Sequence, residues 1–118
     1  MILHVVFYQP KASTTAEELA EFVEAIERAS REIPSIQQVR IGKTTDIGFS
    51  YSGRSLSQEM SYMALFEFND VNGLRDYLVH PQHVELSQLF WMVCKETMIV
   101  DVEAVDPRVT GLDKLLVK

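Results

Sequence analysis

Two segments of this chain are rich in β-branched and aromatic residues and are apolar on both sides. Residues 2–8 read ILHVVFY and residues 62–68 read YMALFEF, so most side chains on either face of each strand are apolar. An antiparallel sheet that packs helices on one face normally shows polar side chains on the other. Burying apolar surface is worth about 25 cal/mol per Å². The pattern therefore predicts a sheet covered by its own helices on one face and by a second copy of the chain on the other.

A helix is predicted after the first strand, because apolar residues recur at helical spacing from about residue 15 to 33. Thr14 and Glu17 have the spacing of a capping box at its start, and Pro34 ends it. Residues 35–42 then alternate between apolar and polar side chains, which predicts a half-exposed strand.

Residues 42–59 hold three of the five glycines and are interpreted as a long loop or an irregular hairpin. A third strand over residues 60–68 and a last strand over residues 96–105 follow from their β-branched and aromatic content. The tail, residues 106–118, matches the sequence pattern of no secondary-structure element. Its leucines are candidates for docking, including on a partner chain: Leu112, Leu115 and Leu116.

Two helices are predicted between the third strand and the last. Asn69 or Asp70 caps the first, and Pro81 opens the second. Their apolar faces are predicted to comprise Val71, Leu74 and Leu78 in the first helix and Leu86, Leu89, Phe90 and Val93 in the second. The order is then β-α-β-β-α-β with a four-stranded antiparallel sheet, the arrangement of α+β ferredoxin-like domains.

The length of 118 residues allows one domain, which we predict over residues 1–105 with residues 106–118 as a C-terminal tail. A net charge of −6 argues against binding to nucleic acid, which needs a basic face, and against an anionic membrane surface. The one cysteine, Cys94, lies in an apolar run and is expected to be buried. An unpaired cysteine, with no recognisable signal peptide or membrane span, predicts a cytoplasmic protein.

The segment YLVHPQHVEL, residues 77–86, contains two of the three histidines of the chain. His80 precedes a proline and suits a helix cap, whereas His83 falls in the first turn of the next helix. Three interpretations are open: a metal pair, an acid–base pair, or a helix boundary without chemistry. A zinc site completed by His4 is the least favoured. No acidic residue accompanies HPQH itself, and the proline between the two histidines interrupts the helix that would align them.

Together these segments resemble the stress-responsive dimeric A/B barrel proteins, often called Dabb proteins. The resemblance rests on ILHVVFY, REIPSI, VRIGK, the aromatic third strand, DYLVHPQHVEL and MIVDVE, in that order over residues 1–105. Its most specific part is the pattern Y-x-x-H-P-x-H. Members of the family are ferredoxin-like monomers whose sheets face each other in a dimeric α+β barrel. The resemblance therefore implies a homodimer that forms through the sheet faces.

One plant branch of this family, the polyketide cyclases of the olivetolic acid type, performs aldol cyclisation without a metal or a cofactor. The resemblance carries its working groups onto His4, Tyr77 and His83. It departs from the branch at Tyr62, which stands where the cyclases have a histidine. A phenol, with a pKa of about 10, is a poorer base than an imidazole, with a pKa of about 6.5. The resemblance leaves His83 as the candidate base and Tyr77 as the candidate hydrogen-bond donor to a carbonyl.

Each candidate also has a purely structural explanation. His4 fits a hydrogen-bonded core histidine, Tyr62 and Tyr77 fit packing roles, and His83 fits a polar residue at a helix end. Whether the protein is an enzyme is therefore left open. The first hypothesis is a stress-linked protein that binds a small apolar, phenolic or keto molecule between sheet and helices. The second is a cofactor-free cyclase or isomerase, and the third is a purely structural oligomer.

Overall fold

The computed structural model describes residues 1–48 and 60–109, together with Asp113 and Leu115. Its elements are β1 (Ile2–Pro10), α1 (Ala16–Glu32), β2 (Gln38–Lys43), β3 (Tyr62–Phe68), α2 (Val71–Val79), α3 (Pro81–Val93) and β4 (Cys94–Glu103). Most of the predicted loop, residues 49–59, lies outside the described residues, as do Leu112 and Leu116 of the tail. Leu115 is exposed.

The four strands form one antiparallel sheet in the order β2-β3-β1-β4, with the three helices on one face. This is the predicted ferredoxin-like fold, and its core lies between the helices and the covered face of the sheet. The covered face is buried at alternate positions of the two central strands: Ile2, His4, Val6 and Tyr8 in β1, and Ala64, Phe66 and Phe68 in β3. In the part of the chain that the structure describes, no helix is long and apolar enough to cross a membrane.

The opposite face of the sheet carries a second apolar set, and none of α1, α2 and α3 lies over it. Leu3, Val5 and Phe7 of β1 pair with Val102, Val100 and Met98 of β4, and directly paired residues share a face. The three β1 side chains are half-buried, whereas all three β4 side chains are exposed. The apolar character predicted for both faces of the first strand is therefore present, and it leaves an apolar surface open on one chain.

The first helix begins one residue later than predicted. The side chain of Thr15, rather than Thr14, accepts a hydrogen bond from the Glu18 amide at 3.1 Å, and the Glu18 carboxylate accepts one from the Thr15 amide at 3.0 Å. The sequence TTAEE contains two overlapping Thr-x-x-Glu patterns, so spacing alone does not choose between them. At the other end, Ile33 adopts an extended conformation directly before Pro34, as expected for a residue that precedes a proline.

The second helix shows a different buried face from the predicted one. Leu74 and Tyr77 are buried, whereas Val71 and Leu78 are 45% and 40% exposed. In a nine-residue helix both the predicted triplet and the buried pair fit helical spacing, and the large tyrosine ring occupies the buried position that the prediction gave to Leu78. Asp70 caps this helix by accepting a hydrogen bond from the Gly73 amide at 2.9 Å.

Strand boundaries also differ from the prediction. Lys43, which was assigned to the loop, and Gly42, which was assigned to both the strand and the loop, continue the ladder of β2 with β3. The last strand begins at Cys94 without a connecting loop, because α3 ends at Val93 and the chain turns extended there. Cys94 is buried, as predicted, and burial raises the pKa of its thiol to about 11.

Candidate functional site

A cavity of about 280 Å³ lies between the covered face of the sheet and the helices. Its floor is formed by the central strands and its roof by α1, α2 and α3. Most of the lining is apolar, including Val6, Ala64, Phe66, Ile26, Leu86 and Phe90. Polar side chains are concentrated toward one end, where β1, β4 and the α2–α3 junction meet. The shape and composition are those of a small-molecule site, which is concave, mostly apolar and equipped with a few polar groups.

Tyr77 and His83 lie side by side at the polar end, with ring centroids 4.5 Å apart. The two are six residues apart and reach the same point because the chain turns sharply between α2 and α3. His80 makes that turn: it caps α3 by accepting a hydrogen bond from the Gln82 amide at 3.1 Å, and Pro81 fills the first helical position. The predicted capping role of His80 is confirmed.

The hydroxyl of Tyr77 has no hydrogen-bond partner among residues 1–48 and 60–109, although the residue is only 2% exposed. Within the described residues, the fully buried side-chain polar atom without a partner is Ser35 Oγ, so the Tyr77 oxygen is not sealed from solvent. Burial raises the pKa of Tyr77 above its ordinary value. This phenol therefore stays protonated and can donate a hydrogen bond into the cavity.

Within the described residues, one ring nitrogen of His83 takes part in a hydrogen bond and the other does not. Its Nδ1 lies 3.0 Å from the carbonyl oxygen of Leu78, which can only accept a hydrogen bond, so Nδ1 carries the proton. The neutral ring then presents the lone pair of Nε2 as a base. Burial, and to a smaller extent the charge on His4, lower the pKa of His83, although the Leu78 carbonyl opposes them. The neutral, proton-accepting form is thereby favoured.

His4 is the buried histidine of the floor, and it is paired with Asp101 on the neighbouring strand. The two residues are opposite each other in the β1–β4 ladder, and His4 Nδ1 lies 2.6 Å from Asp101 Oδ1. Asp101 was not among the residues predicted from the sequence. The signal that could have found it is a carboxylate between the apolar residues of MIVDVE. Its place on the same face as His4 can be assigned only when the register of the two strands is known.

The structure brings His4, Tyr77 and His83 to one end of the cavity, with the His4 and Tyr77 ring centroids 5.7 Å apart. Tyr62 is not among the residues that line it. The Tyr62 ring stacks on Tyr8 at 5.6 Å and 20°, on the side away from the cavity polar end. Tyr8, which the sequence analysis treated only as an apolar strand residue, lines the cavity.

The polar end of the cavity provides groups that can transfer or share a proton. Within residues 1–48 and 60–109, no three or more histidine, cysteine, aspartate or glutamate side chains are grouped so that they could hold a metal ion. The polar end offers a base at His83, a hydrogen-bond donor at Tyr77 and a hydrogen-bonded pair of His4 and Asp101. Among the described residues, neither Nε2 of His83 nor the Tyr77 hydroxyl has a hydrogen-bond partner, so both are open to a ligand.

The family model described as the stress-responsive A/B barrel domain matches residues 2–104 of the chain. No curated protein matches. Several solved structures share the fold. A crystal structure of an Arabidopsis thaliana protein is 19% identical, with a TM-score of 0.76 over 90% of this chain and 97% of that one.

Two further structures differ in what is known of them. A dimeric ferredoxin-like protein of unknown function from Jannaschia sp. is 22% identical, with a TM-score of 0.73 over 87% of this chain and 98% of its own. A hydroxynitrile lyase from Passiflora edulis is 12% identical, with a TM-score of 0.75 over 90% of this chain and 96% of its own. At these identities the likeness establishes the fold alone.

Proposed function

This chain belongs to the stress-responsive A/B barrel domain family, and we propose that it binds a small, mostly apolar molecule with a keto or phenolic oxygen. The observation that carries the proposal is the Tyr77 hydroxyl, which has no hydrogen-bond partner among residues 1–48 and 60–109, beside His83 at the polar end of an apolar cavity. Because the Tyr77 oxygen is not sealed from solvent, a ligand oxygen can accept its hydrogen bond in place of water.

The volume and charge of the cavity restrict the ligand. A volume of about 280 Å³ is at the small end of ligand sites and fits a compound with one ring. Asp101 places a carboxylate at the cavity, so an anionic group next to it is disfavoured. A neutral carbonyl or phenol can accept a hydrogen bond from Tyr77 and meets an apolar wall elsewhere.

The second candidate function is enolisation of a β-keto compound without a cofactor, and the tautomer of His83 favours it. Nε2 of His83 takes the proton from the carbon between two carbonyls, while the Tyr77 hydroxyl donates a hydrogen bond to the oxygen that gains the negative charge. Return of the proton to the oxygen gives the enol tautomer. Where the molecule carries a further, more distant carbonyl, attack of the enolate carbon on it closes a ring, and the oxygen of that carbonyl takes up the proton from His83. The Asp101 carboxylate, which is paired with His4, is proposed to offset the positive charge that forms on His83.

The scaffold is compatible with catalysis, since a hydroxynitrile lyase shares the fold. The residues that carry the proposed reaction are His83, Tyr77 and His4. Tyr62 does not line the cavity, and we propose a packing role for it against Tyr8.

We also propose a homodimer in which the uncovered sheet faces of two copies pack together. The apolar set of that face and the dimeric assembly named for the Jannaschia relative support it. The A/B barrel domain is proposed to extend to residue 105, and the tail to follow it. A reducing cytoplasm is the proposed compartment, because Cys94 is unpaired and buried.

Trp91, the one tryptophan of the chain, lines the cavity and provides a direct test. We expect 1-phenyl-1,3-butanedione to change its fluorescence saturably, and Tyr77→Phe to weaken binding about tenfold, the effect of one hydrogen bond. Exchange of the central C–H for deuterium, followed by NMR, tests enolisation. It should be catalysed by the wild type and lost in His83→Gln. Binding without exchange supports the first function alone, and an absence of binding overturns both.

A further inference from the structure

Tyr8 lies at the opposite end of the cavity from His4, Tyr77 and His83. It shares the covered face of β1 with His4, four positions away, so the two Cα atoms are about 13 Å apart at ~3.3 Å per residue. Val6 lies between them and lines the same cavity. The cavity floor therefore has a polar side chain at each end and apolar side chains in the middle.

The ring of Tyr8 is fixed by aromatic neighbours. It makes edge contacts with Phe22 at 5.4 Å and Phe90 at 5.8 Å, and it stacks on Tyr62 at 5.6 Å. The residue is only 5% exposed. These contacts hold the ring in one place, and a phenylalanine would make all of them equally well. Packing alone does not explain the hydroxyl.

The hydroxyl of Tyr8 is unpaired in the part of the chain that the structure describes. No hydrogen bond joins it to residues 1–48 or 60–109, and its oxygen is not fully sealed. Burial raises the pKa of Tyr8 to about 12, with smaller contributions from Cys94 and Tyr62. The group is therefore a neutral donor at neutral pH, and a ligand oxygen can accept its hydrogen bond in place of water.

We propose that Tyr8 is a second ligand-binding residue, which hydrogen-bonds a polar group at the far end of the molecule whose carbonyl meets Tyr77 and His83. The ligand class is then a one-ring compound with oxygen functions at both ends, such as a 4-hydroxyphenyl ketone. This inference rests on the proposed binding function and adds selectivity to it. The ring of such a ligand lies over the apolar middle of the floor, where Ala64 leaves room.

The test uses two probes that differ only at the distal end, 1-phenyl-1,3-butanedione and 1-(4-hydroxyphenyl)-1,3-butanedione. Each is titrated against the wild type, Tyr8→Phe and Tyr62→Phe, with Trp91 fluorescence and calorimetry as readouts. We expect the wild type to bind the hydroxylated probe about tenfold more tightly, since one hydrogen bond contributes roughly that factor. Tyr8→Phe should reduce the preference below about twofold and leave affinity for the unsubstituted probe unchanged.

Tyr62→Phe is the matched control, because it removes the same atom from the stacked neighbour outside the cavity lining and should keep the preference. Thermal unfolding of both variants checks that neither has lost its fold. An equal affinity of the wild type for the two probes, or a preference that survives in Tyr8→Phe, overturns the inference and leaves the proposed function standing. Failure of both probes to bind overturns the two together.

Discussion

His4 and Asp101 face each other across the ladder of β1 and β4, with His4 Nδ1 2.6 Å from Asp101 Oδ1. The side chain of His4 is 9% exposed and that of Asp101 is 50% exposed, so the pair joins the cavity interior to solvent at its edge. A carboxylate that accepts from Nδ1 fixes the tautomer and the ring plane of a histidine. We therefore regard Asp101 as a positioning residue, which acts on a ligand through His4.

Replacing Asp101 with asparagine tests that role. We expect the free energy of unfolding to fall by about 1 kcal/mol, because a charge-assisted hydrogen bond is weakened but one partner is half-exposed. The nitrogen chemical shifts of His4, measured by NMR, should change from one tautomer to a mixture. Glu103→Gln is the control, since Glu103 occupies the next position on the same face and does not line the cavity. Unchanged His4 shifts in Asp101→Asn would show that the carboxylate does not set the tautomer.

Ala64 and Ala29 are both buried, but only Ala64 lines the cavity. Ala64→Leu should fill empty space, so we expect little or no loss of thermal stability and at least a tenfold loss of diketone affinity. Ala29→Leu should instead overpack the closed core and cost about 1–3 kcal/mol. Thermal unfolding and titration of Trp91 fluorescence measure both effects. If the two substitutions destabilise the protein equally, the cavity is not open space in solution.

The fold follows from local pattern to a large extent. The two-sided apolar character of residues 2–8 indicated both the covered and the uncovered face, and Pro34 and Pro81 marked helix ends. The sequence pattern did not predict the structure correctly where two assignments fitted it equally well. The overlapping Thr-x-x-Glu motifs left the cap of α1 ambiguous, and the nine residues of α2 were too few for the period to reveal which face is buried.

Less of the candidate site than of the fold could be predicted from the sequence. His4, Tyr77 and His83 came from a family resemblance, and the structure places them at one end of the cavity. Asp101 and Tyr8 could not be found in the same way. Their relevance depends on the register of β4 against β1 and on which face of β1 meets the helices, and both are consequences of tertiary packing.

The lowered pKa of His83 predicts a specific pH dependence of stability. The unfolded chain has a histidine with an ordinary pKa of about 6.5, so between that pH and the lower folded pKa the unfolded state binds more protons. The contribution is fully present above about pH 6.5 and is lost as the pH falls through the folded value. We expect the melting temperature of His83→Gln to fall less than that of the wild type over this window. Equal slopes, measured by thermal unfolding at several pH values, would contradict the assignment.

The uncovered sheet face determines whether the chain is stable alone. Val5 and Val100 are paired across β1 and β4 on that face, and Val100 is 41% exposed. A carboxylate buried between two such faces would lack a partner, and its burial would be costly. Val100→Glu should therefore separate the copies into monomers of 13.5 kDa. The wild type should sediment at about twice that mass. Ile41→Glu is the control, because Ile41 is 50% exposed but pairs with Ala64 and so lies on the helix side. That variant should remain a dimer. A wild-type monomer at micromolar concentration, or an undisturbed dimer of Val100→Glu, would show that this face is covered in some other way.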